Sequence, residues 1–291
     1  MAAYHPSACL PRLSFTHALV PSMIELLPRR SVLTFSGADR ASFLQGLITN
    51  DVQTLAPDKA VWSALLTPQG RWLSEFFLFT DGDRILMDCP SEHAEMLVKK
   101  LSRFRLRADV KIELTKLHVI VGATDTGPPE ALCSAPDPRC ENAGWRAIVS
   151  QSPVETTQGH DWLDRRLALG LPDTDDFESE KTLALEANLD LLHGVSWKKG
   201  CYMGQELTAR THYRGLLRRR ILPVTVKDGT FPETGGILTM GDKDVGELRS
   251  RHGSHALALL RREAWLSPDL AFEGKPVSVV WPDWFPLEMR S

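Results

Sequence analysis

The sequence predicts an α+β protein whose C-terminal part forms a separate small β-barrel. The chain has 291 residues, which is too many for a single hydrophobic core, so two or three domains are expected. Up to about residue 121, the patterns follow the order strand, helix, three strands, helix, strands, which favours α+β layers over a parallel doubly wound sheet. After Arg214, short apolar runs alternate with glycine pairs and Asp-Gly turns, as in small all-β units.

The first predicted elements are a strand at 32–35 and the helix that follows it. Ser36 and Asp39 have the spacing of a capping box, which marks the start of a helix. The apolar face of this helix consists of Phe43, Leu44, Leu47 and Ile48.

A hairpin follows, with strands at 61–66 and 72–79. Its turn is Thr67-Pro68-Gln69-Gly70, with proline and glycine at positions that suit a type I turn. The next predicted elements are a strand at 85–87, a helix at 91–104 and strands at 110–114 and 117–121.

The middle of the chain is less regular. Residues 124–144 are rich in Pro, Gly, Cys and Asp and are expected to form a surface excursion between two lobes. Helices are predicted at 160–169, starting near His160, and at 182–192, with Gly194 in the C′ position. We therefore divide the chain into two regions, residues 1–215 with the two lobes and residues 216–291 with the barrel.

Composition limits the classes of function. The chain is 43% hydrophobic and 24% charged, as is ordinary for a folded protein, and its net charge of −3 disfavours a general nucleic-acid binder. Its five cysteines are widely spaced without a Cys-x-x-Cys pair, which indicates a reducing compartment and argues against a permanently held iron–sulfur cluster.

The sequence also bears on location. No apolar run reaches the length of a membrane span, and Met1–Pro21 lacks the apolar core of a signal peptide. Cytoplasm is the expected location. The segment faintly resembles an organelle transit peptide, but the ragged start of a cytoplasmic protein is the favoured interpretation. The mitochondrial matrix is the expected location if the source is eukaryotic.

The segment 194–206 carries the strongest chemical signal. Cys201 lies between glycine-bearing turns and directly follows a pair of lysines, whose charge favours the thiolate. The alternative is a tight surface loop into which a small cysteine happens to fit. This segment and the residues after it also contain three further polar side chains, those of Gln205, Glu206 and Arg210.

The order and spacing of several motifs resemble the YgfZ/GcvT-like folate-binding family. The most specific match is Lys199-Gly200-Cys201-Tyr202-Met203-Gly204-Gln205-Glu206, and its continuation to His212 is similar to the mitochondrial iron–sulfur assembly branch. The weaker matches, spread from about residue 25 to 265, include Phe43–Val52, Leu66–Arg71, Gly170-Leu171-Pro172 and Leu185–Asp190.

This resemblance implies a ring of two α+β lobes and a barrel, with tetrahydrofolate in the central opening. It implies that Glu186 accepts the paired donors of the pterin and that Trp162 stacks on a folate ring. Asn50 and Asp51 are further candidates. The alternatives are a solvated helix charge for Glu186, a core position for Trp162, and a helix C-cap and turn for the Asn50-Asp51 pair.

Two functions follow from the resemblance. The first is assistance to iron–sulfur assembly, with assembly proteins or client apoproteins as partners. In it, Cys201 transiently ligates iron or sulfide or attacks a one-carbon adduct of folate, and Lys199 lowers its pKa. The alternative is aminomethyl transfer, which is disfavoured because Glu75 stands where the transferases carry two adjacent acids.

A third class of function rests on the arginines of the segment 214–220. Four arginines in seven residues suit phosphate binding, although a barrel strand with solvated arginines, or a partner-docking edge, is the favoured interpretation. The histidine spacing predicts no metal site.

Overall fold

The structure is a computed structural model that describes residues 24–124, 127–152 and 161–290. The segment 1–21 and His160, which enter two of the predictions above, lie outside these residues. The first nine strands are β1 (Ile24–Leu26), β2 (Arg30–Ser36), β3 (Val61–Leu66), β4 (Trp72–Asp81), β5 (Arg84–Pro90), β6 (Lys111–Leu114), β7 (His118–Gly122), β8 (Cys133–Pro136) and β9 (Trp145–Val149).

These strands form two antiparallel sheets. A five-stranded sheet has the order β3-β4-β5-β2-β6, and a four-stranded sheet has the order β1-β7-β9-β8. From Ile24 onward, the chain thus contributes β1 to the four-stranded sheet, forms the whole five-stranded sheet and then returns to the four-stranded sheet. The four helices of the described residues are α1 (Arg40–Gln45), α2 (Ser91–Phe104), α3 (Asp161–Leu169) and α4 (Gln205–Tyr213).

The C-terminal part is a closed six-stranded barrel. Its strands are β10 (Arg219–Val226), β11 (Ile237–Met240), β12 (Lys243–His252), β13 (His255–Arg261), β14 (Leu270–Phe272) and β15 (Lys275–Val279). They follow the order β10-β13-β12-β11-β14-β15, and β15 pairs back with β10. The predicted α+β fold with a C-terminal barrel is confirmed.

Strand alternation directs apolar side chains to two cores. Leu222 and Leu260 fill the barrel interior, whereas Ile221 and Leu259 point outward. The outward residues join a central core that includes Trp62 of β3, Ile148 of β9 and Leu167 of α3. This core therefore connects both sheets, α3 and the outer face of the barrel.

The other face of the five-stranded sheet is covered by α1 and α2. The three buried residues of α2, Ala94, Leu97 and Leu101, have the 3.6-residue period on which the helix was predicted. The cap of α1 differs from the prediction. Asp39 occupies the N-cap position without a side-chain cap, because its carboxylate accepts from the backbone N–H of Asp109 instead.

The helix predicted at 182–192 is wrong. This segment is a series of turns, in which Asn188 and His193 adopt left-handed backbone conformations with φ of 60° and 58°. A left-handed residue cannot continue an α-helix. The left-handed residue at the end of the segment is His193, not the expected Gly194.

The segment 124–144 is not the predicted surface excursion. It contributes β8 to the four-stranded sheet, and after that strand it buries Asp137 and Arg139. The Arg139 side chain donates to both Asp137 oxygens at 2.9 and 2.7 Å and to the Pro172 carbonyl at 2.8 Å. The prediction from composition was wrong because charged residues such as Asp137 and Arg139 can be buried when they form an ion pair with each other.

Candidate functional site

The exposed thiol lies on the loop formed by residues 194–204, which we call the thiol loop. Cys201 is exposed, whereas burial raises the pKa of Cys89 and Cys133 to about 12 and that of Cys140 to about 11. A thiolate is the form that ligates metal. Of the four cysteines in the described residues, Cys201 is therefore the one open to a partner.

Backbone and hydroxyl contacts fasten the start of the thiol loop to the residues after α1. The Thr49 hydroxyl donates to the Gly194 carbonyl at 2.7 Å, and the Ser196 N–H donates to the Thr49 carbonyl at 3.1 Å. Gly194 also packs against Trp62, where an added Cβ would lie 2.9 Å from the ring. The loop is thus held against the lobe that contains β3.

A close contact between two glycines fastens the end of the thiol loop. Gly204 has a φ of 82°, and an added Cβ would lie 2.6 Å from the Thr67 carbonyl oxygen and 3.0 Å from the Gly70 Cα. Gly70, with a φ of 69°, makes the reciprocal approach to the Gly204 carbonyl. The hairpin motif and the cysteine motif therefore require glycine for packing against each other.

Lys199 turns inward from the thiol loop. Its ammonium group donates to the carbonyls of Ile48 and Asn50, both at 2.7 Å, and the residue is 8% exposed. Burial lowers its pKa to about 8, against the opposing charge of Asp51. Lys199 thus anchors the loop, and its predicted effect on the Cys201 thiol stays a prediction.

A cleft of about 420 Å³ adjoins this anchor. Asn50 lines it, and its amide group donates to the carbonyls of Trp62 at 2.8 Å and His193 at 2.6 Å. Asp58 and His193 also line it. Sequence reasoning named Asn50 but missed Asp58, because Asp58 belongs to no recognisable motif.

Asp51 lies beside the cleft but is used by the backbone. One of its carboxylate oxygens accepts from the Gln45 side chain at 2.9 Å and from the Gln53 N–H at 3.0 Å. It caps the short 3-10 helix Val52–Thr54. The expected alternative, a helix C-cap, is wrong, because the C-cap of α1 is Gly46 and Asp51 instead caps the start of the 3-10 helix.

Glu186 is buried and paired rather than solvated. One oxygen accepts from the Leu183 N–H at 3.0 Å, and the other accepts from Arg219 at 2.9 Å. Arg219 belongs to the first barrel strand, so this pair connects the barrel to the turns before the thiol loop. A contact between Glu186 and a pterin would have to share or displace Arg219.

Trp162 is a core residue, at 7% exposure. The guanidinium carbons of Arg139 and Arg146 lie 5.8 and 5.6 Å from its ring centroid. Its indole N–H and two nitrogens of Arg146 are buried and have no hydrogen-bond partner among the described residues. Neither Trp162 nor Glu186 lines the cleft. The structure therefore does not place the two predicted pterin contacts together at its opening.

The remaining predicted site residues lie on α4, directly after the thiol loop. Gln205 is half-buried, and Glu206 and Arg210 are exposed one turn apart. Opposite charges at this spacing support a helix modestly. The structure places these side chains on the surface beside the loop rather than in the cleft.

A buried network of charges, which the sequence did not reveal, lies between the two sheets. Arg30 donates to Glu75 at 2.5 Å and to Asp88 at 2.6 Å, and Arg146 donates to the other Asp88 oxygen at 2.8 Å. Glu75 also accepts from Trp62 and Thr174, so both of its oxygens are engaged. The charged partners of this network lie 45 to 58 residues apart, which leaves no local signal.

The cleft fits a reduced folate in size and in polar groups. Its volume lies within the range of roughly 300–1,000 Å³ common for small-molecule sites. The Asp58 carboxylate can accept paired donors of a pterin, and His193 offers a planar ring. The residues present are therefore compatible with the ligand that the predicted fold implies.

Two comparisons define the class of fold. Residues 218–287 match the model of the CAF17 C-terminal β-barrel domain. The solved structure of glycine cleavage system aminomethyltransferase T from Bartonella henselae superimposes with a TM-score of 0.72. The match covers 91% of this chain and 86% of that one, at 14% identity, and it shows a shared GcvT-like fold.

Sequence relatives identify the family. The human protein described as "Iron-sulfur cluster assembly factor IBA57, mitochondrial" is 32% identical over 302 residues, covering 89% of this chain and 84% of that protein. The mouse protein of the same description is 32% identical and covers 91% and 86%. A homologue from Mycosarcoma maydis is 36% identical over 68% of this chain, which spans 56% of that relative. The chain belongs to the IBA57 family of iron–sulfur cluster assembly factors.

These findings confirm the GcvT-like iron–sulfur assembly branch that the cysteine motif predicted. The relatives' names carry the word mitochondrial, which agrees with the location expected for a eukaryotic source rather than with cytoplasm. In the part of the chain that the structure describes, helices are too short or too polar to cross a bilayer.

Proposed function

We propose that this protein assists the maturation of iron–sulfur proteins through Cys201 and binds a reduced folate in the adjoining cleft. In a eukaryotic source it would act in mitochondria, as the names of its relatives indicate. The observation that carries the proposal is an exposed thiol on a loop fixed at both ends. Its partners would be assembly proteins or client apoproteins.

The role of Cys201 would be to ligate iron or sulfide transiently. One exposed cysteine supplies a single ligand, too few for a cluster that normally takes four. The remaining ligands would then come from the partner, and the cluster would be cargo. Gly200 leaves open space around the backbone just before the thiol, which suits the approach of a second protein.

The folate would bind where Asn50, Asp58 and His193 line the cleft. When bound, it supplies one-carbon chemistry. Lys199 connects this cleft to the thiol loop, because its ammonium group holds the Asn50 carbonyl. Binding of a folate in the cleft would therefore affect the position of the thiol loop. Glu186 and Trp162 remain proposed contacts, and both would have to be released from their present partners.

Aminomethyl transfer is the less favoured function. The single acid that the sequence offers for it, Glu75, is 1% exposed and is enclosed by Arg30, Trp62 and Thr174. These three donors would have to be displaced before the carboxylate could contact a substrate. Folate-dependent release of ammonia from a glycine-derived donor would establish transfer, and we expect none.

The role of the thiol is tested by Cys201→Ser in cells depleted of the native protein. We expect the variant to fold normally and to lose support of iron–sulfur enzymes, because serine is a poor ligand for iron. Cys140→Ser, which changes a half-buried thiol, is the matched control. Enzyme activities restored to wild-type level by Cys201→Ser would overturn the proposed role.

Folate binding is tested by titration of the purified protein with tetrahydrofolate, followed by tryptophan fluorescence. We expect saturable quenching, since Trp62 lines the cleft, and about tenfold weaker binding by Asp58→Asn, which cannot accept paired donors as a carboxylate does. Asp83→Asn, on the β4–β5 turn, is the control. The absence of a saturable change with every reduced folate tested would refute this part of the proposal.

A further inference from the structure

A cluster of aromatic side chains connects the thiol loop to the C-terminal end of α4. Trp197 of the thiol loop stacks on His212 of α4, with centroids 4.1 Å apart and planes inclined by 20°. His212 in turn contacts Tyr213 edge-on at 5.0 Å. Tyr213 is nevertheless 72% exposed, so the outer ring of this cluster faces solvent.

The chain after α4 presents a second apolar side chain on a rigid turn. Gly215 is left-handed, with a φ of 60°, and the Leu216 N–H bonds to the Thr211 carbonyl at 3.1 Å. This is the hydrogen bond of a Schellman motif, which fixes the backbone at a helix end. Leu216 is 52% exposed although its backbone is held. Exposed apolar groups on a fixed backbone are typical of interaction sites.

Positive charge surrounds these apolar groups. Arg210, Arg214 and Arg218 are exposed on or beside the same helix end, and Glu206 is the exposed acid of α4. The nearby Asp190 is 4% exposed and is bound to Arg220. The surface, which we call the α4 patch, consists of Trp197, His212, Tyr213, Arg214, Leu216 and Arg218.

We propose that the α4 patch docks an acidic segment of a partner protein and so brings that partner's metal ligands to Cys201. The inference deepens the proposed function and rests on it for the role of the thiol. Tyrosine, tryptophan and arginine are the residues enriched among energetic centres of protein interfaces. A positive rim speeds the approach of a negative partner.

The same surface is a poor site for nucleic acid. Single-stranded nucleic acid binds by stacking its bases on free aromatic faces. Here Trp197 and His212 stack on each other, which leaves Tyr213 as the most exposed ring of the patch, and Leu216 offers an aliphatic side chain. Of the four arginines in the segment 214–220, Arg219 and Arg220 are engaged by Glu186 and Asp190. The predicted barrel strand begins at Arg219, but the expectation of solvated arginines is corrected for Arg219 and Arg220, which are paired.

The first experiment compares two double variants in cells depleted of the native protein. Leu216→Ser/Arg218→Glu alters the patch, and Leu106→Ser/Arg107→Glu makes the same two changes at exposed positions after α2. We expect at least a fivefold loss of iron–sulfur enzyme activity with the patch variant and none with the control. Both purified proteins should show unchanged urea midpoints and unchanged reaction of Cys201 with a small thiol reagent.

Comparison with Cys201→Ser separates this inference from the proposed function. An inactive Cys201→Ser together with a fully active patch variant would overturn the docking surface alone. A fully active Cys201→Ser would overturn the proposed function, whatever the patch variant does.

The second experiment identifies what lies on the patch. A photo-cross-linking residue replaces Tyr213 in the full chain, and the products formed in cells are mapped by mass spectrometry. We expect a protein segment rich in aspartate and glutamate, and loss of the product when Arg214→Glu and Arg218→Glu are added. A cross-link to nucleic acid, or to a segment without net negative charge, would overturn the inference.

Discussion

At the scale of single residues, Lys199 shows how a motif residue can serve structure and function together. Its ammonium group satisfies two carbonyls that the end of α1 and the following turn leave without helical partners. It also connects the cleft to the thiol loop through Asn50. A lysine in this position contributes hydrogen bonds at the cost of burying a charge.

That cost makes stability depend on pH. The pKa of Lys199 is lowered to about 8 in the folded protein, so between pH 8 and about 10.4 the unfolded chain binds more protons. The free energy of unfolding should therefore rise with pH there, by about 2 kcal/mol from pH 7.5 to 9.5 through this residue alone.

Urea unfolding of the wild type and of Lys199→Met at several pH values measures this contribution. We expect the rise to be lost in the variant, and Lys198→Met, which changes an exposed neighbour, is the control. Parallel pH profiles for wild type and Lys199→Met would show that the buried amine does not titrate as inferred.

At the scale of elements, the thiol loop and the β3–β4 hairpin behave as one unit. Gly204 and Gly70 pack backbone to backbone, and Thr208 of α4 donates to the Gly204 carbonyl. The start of α4 is thereby set against the hairpin turn. The two motifs that are distant in sequence thus fix one local geometry around Cys201.

Gly204→Ala should disrupt this unit. The new Cβ would meet the Thr67 carbonyl at 2.6 Å on a left-handed backbone, so we expect a loss of about 2–4 kcal/mol in the free energy of unfolding. Gly200→Ala, whose Cβ would meet no atom within 4 Å, should change it by less than about 0.5 kcal/mol. Equal stability of the two variants in urea unfolding would contradict the packing described.

The elements that the sequence predicts well are those with a clear period or a clear boundary. The predicted bounds of α2 and β3 agree with the structure. The 3.6-residue pattern of α2 reports its burial directly, whereas β3 is buried throughout and was bounded by the turn that follows it. The turns at 182–192 were missed since their composition is helical and only tertiary contacts hold the left-handed Asn188. Its amide donates to the Ile221 carbonyl in the barrel at 2.6 Å, a contact without a local pattern.

The site was predicted unevenly for the same reason. Cys201 and Asn50 belong to compact motifs and were found, and the structure links them through Lys199. The buried pairings of Glu186 and Glu75 depend on arginines 33 and 45 residues away. Sequence spacing carries no information about partners at such distances, so the engagement of both acids appeared only in the structure.

At the scale of the whole molecule, paired arginines fasten the barrel to the two lobes. Arg220 is 3% exposed and donates to Asp190 twice at 2.9 Å, to Asn188 at 3.0 Å and to the Leu185 carbonyl at 2.8 Å. Arg219 adds the pair with Glu186. The first barrel strand is thus tied to the turns that lead into the thiol loop.

Arg220→Met should therefore weaken the whole structure. Removing one partner leaves the Asp190 charge buried and unpaired, which costs about 3–5 kcal/mol. Arg218→Met, at an exposed position two residues earlier, should change stability by less than about 0.5 kcal/mol. Urea unfolding with limited proteolysis measures both effects. An Arg220→Met protein as stable as Arg218→Met would show that Arg220 does not hold the barrel to the turns before the thiol loop.

The placement of β1 has a consequence for how the chain acquires its fold. β1 precedes the whole five-stranded sheet but pairs with β7, so Ile24 meets a partner, Gly122, that is made nearly a hundred positions later. While the polypeptide is being synthesised, β2 to β6 can form their sheet before β7 exists. During that time β1 has no partner strand and its edge stays unpaired. Pairings of such long sequence separation are slow and expose apolar edges meanwhile. Newly made chains should therefore depend on chaperones until β7 has emerged.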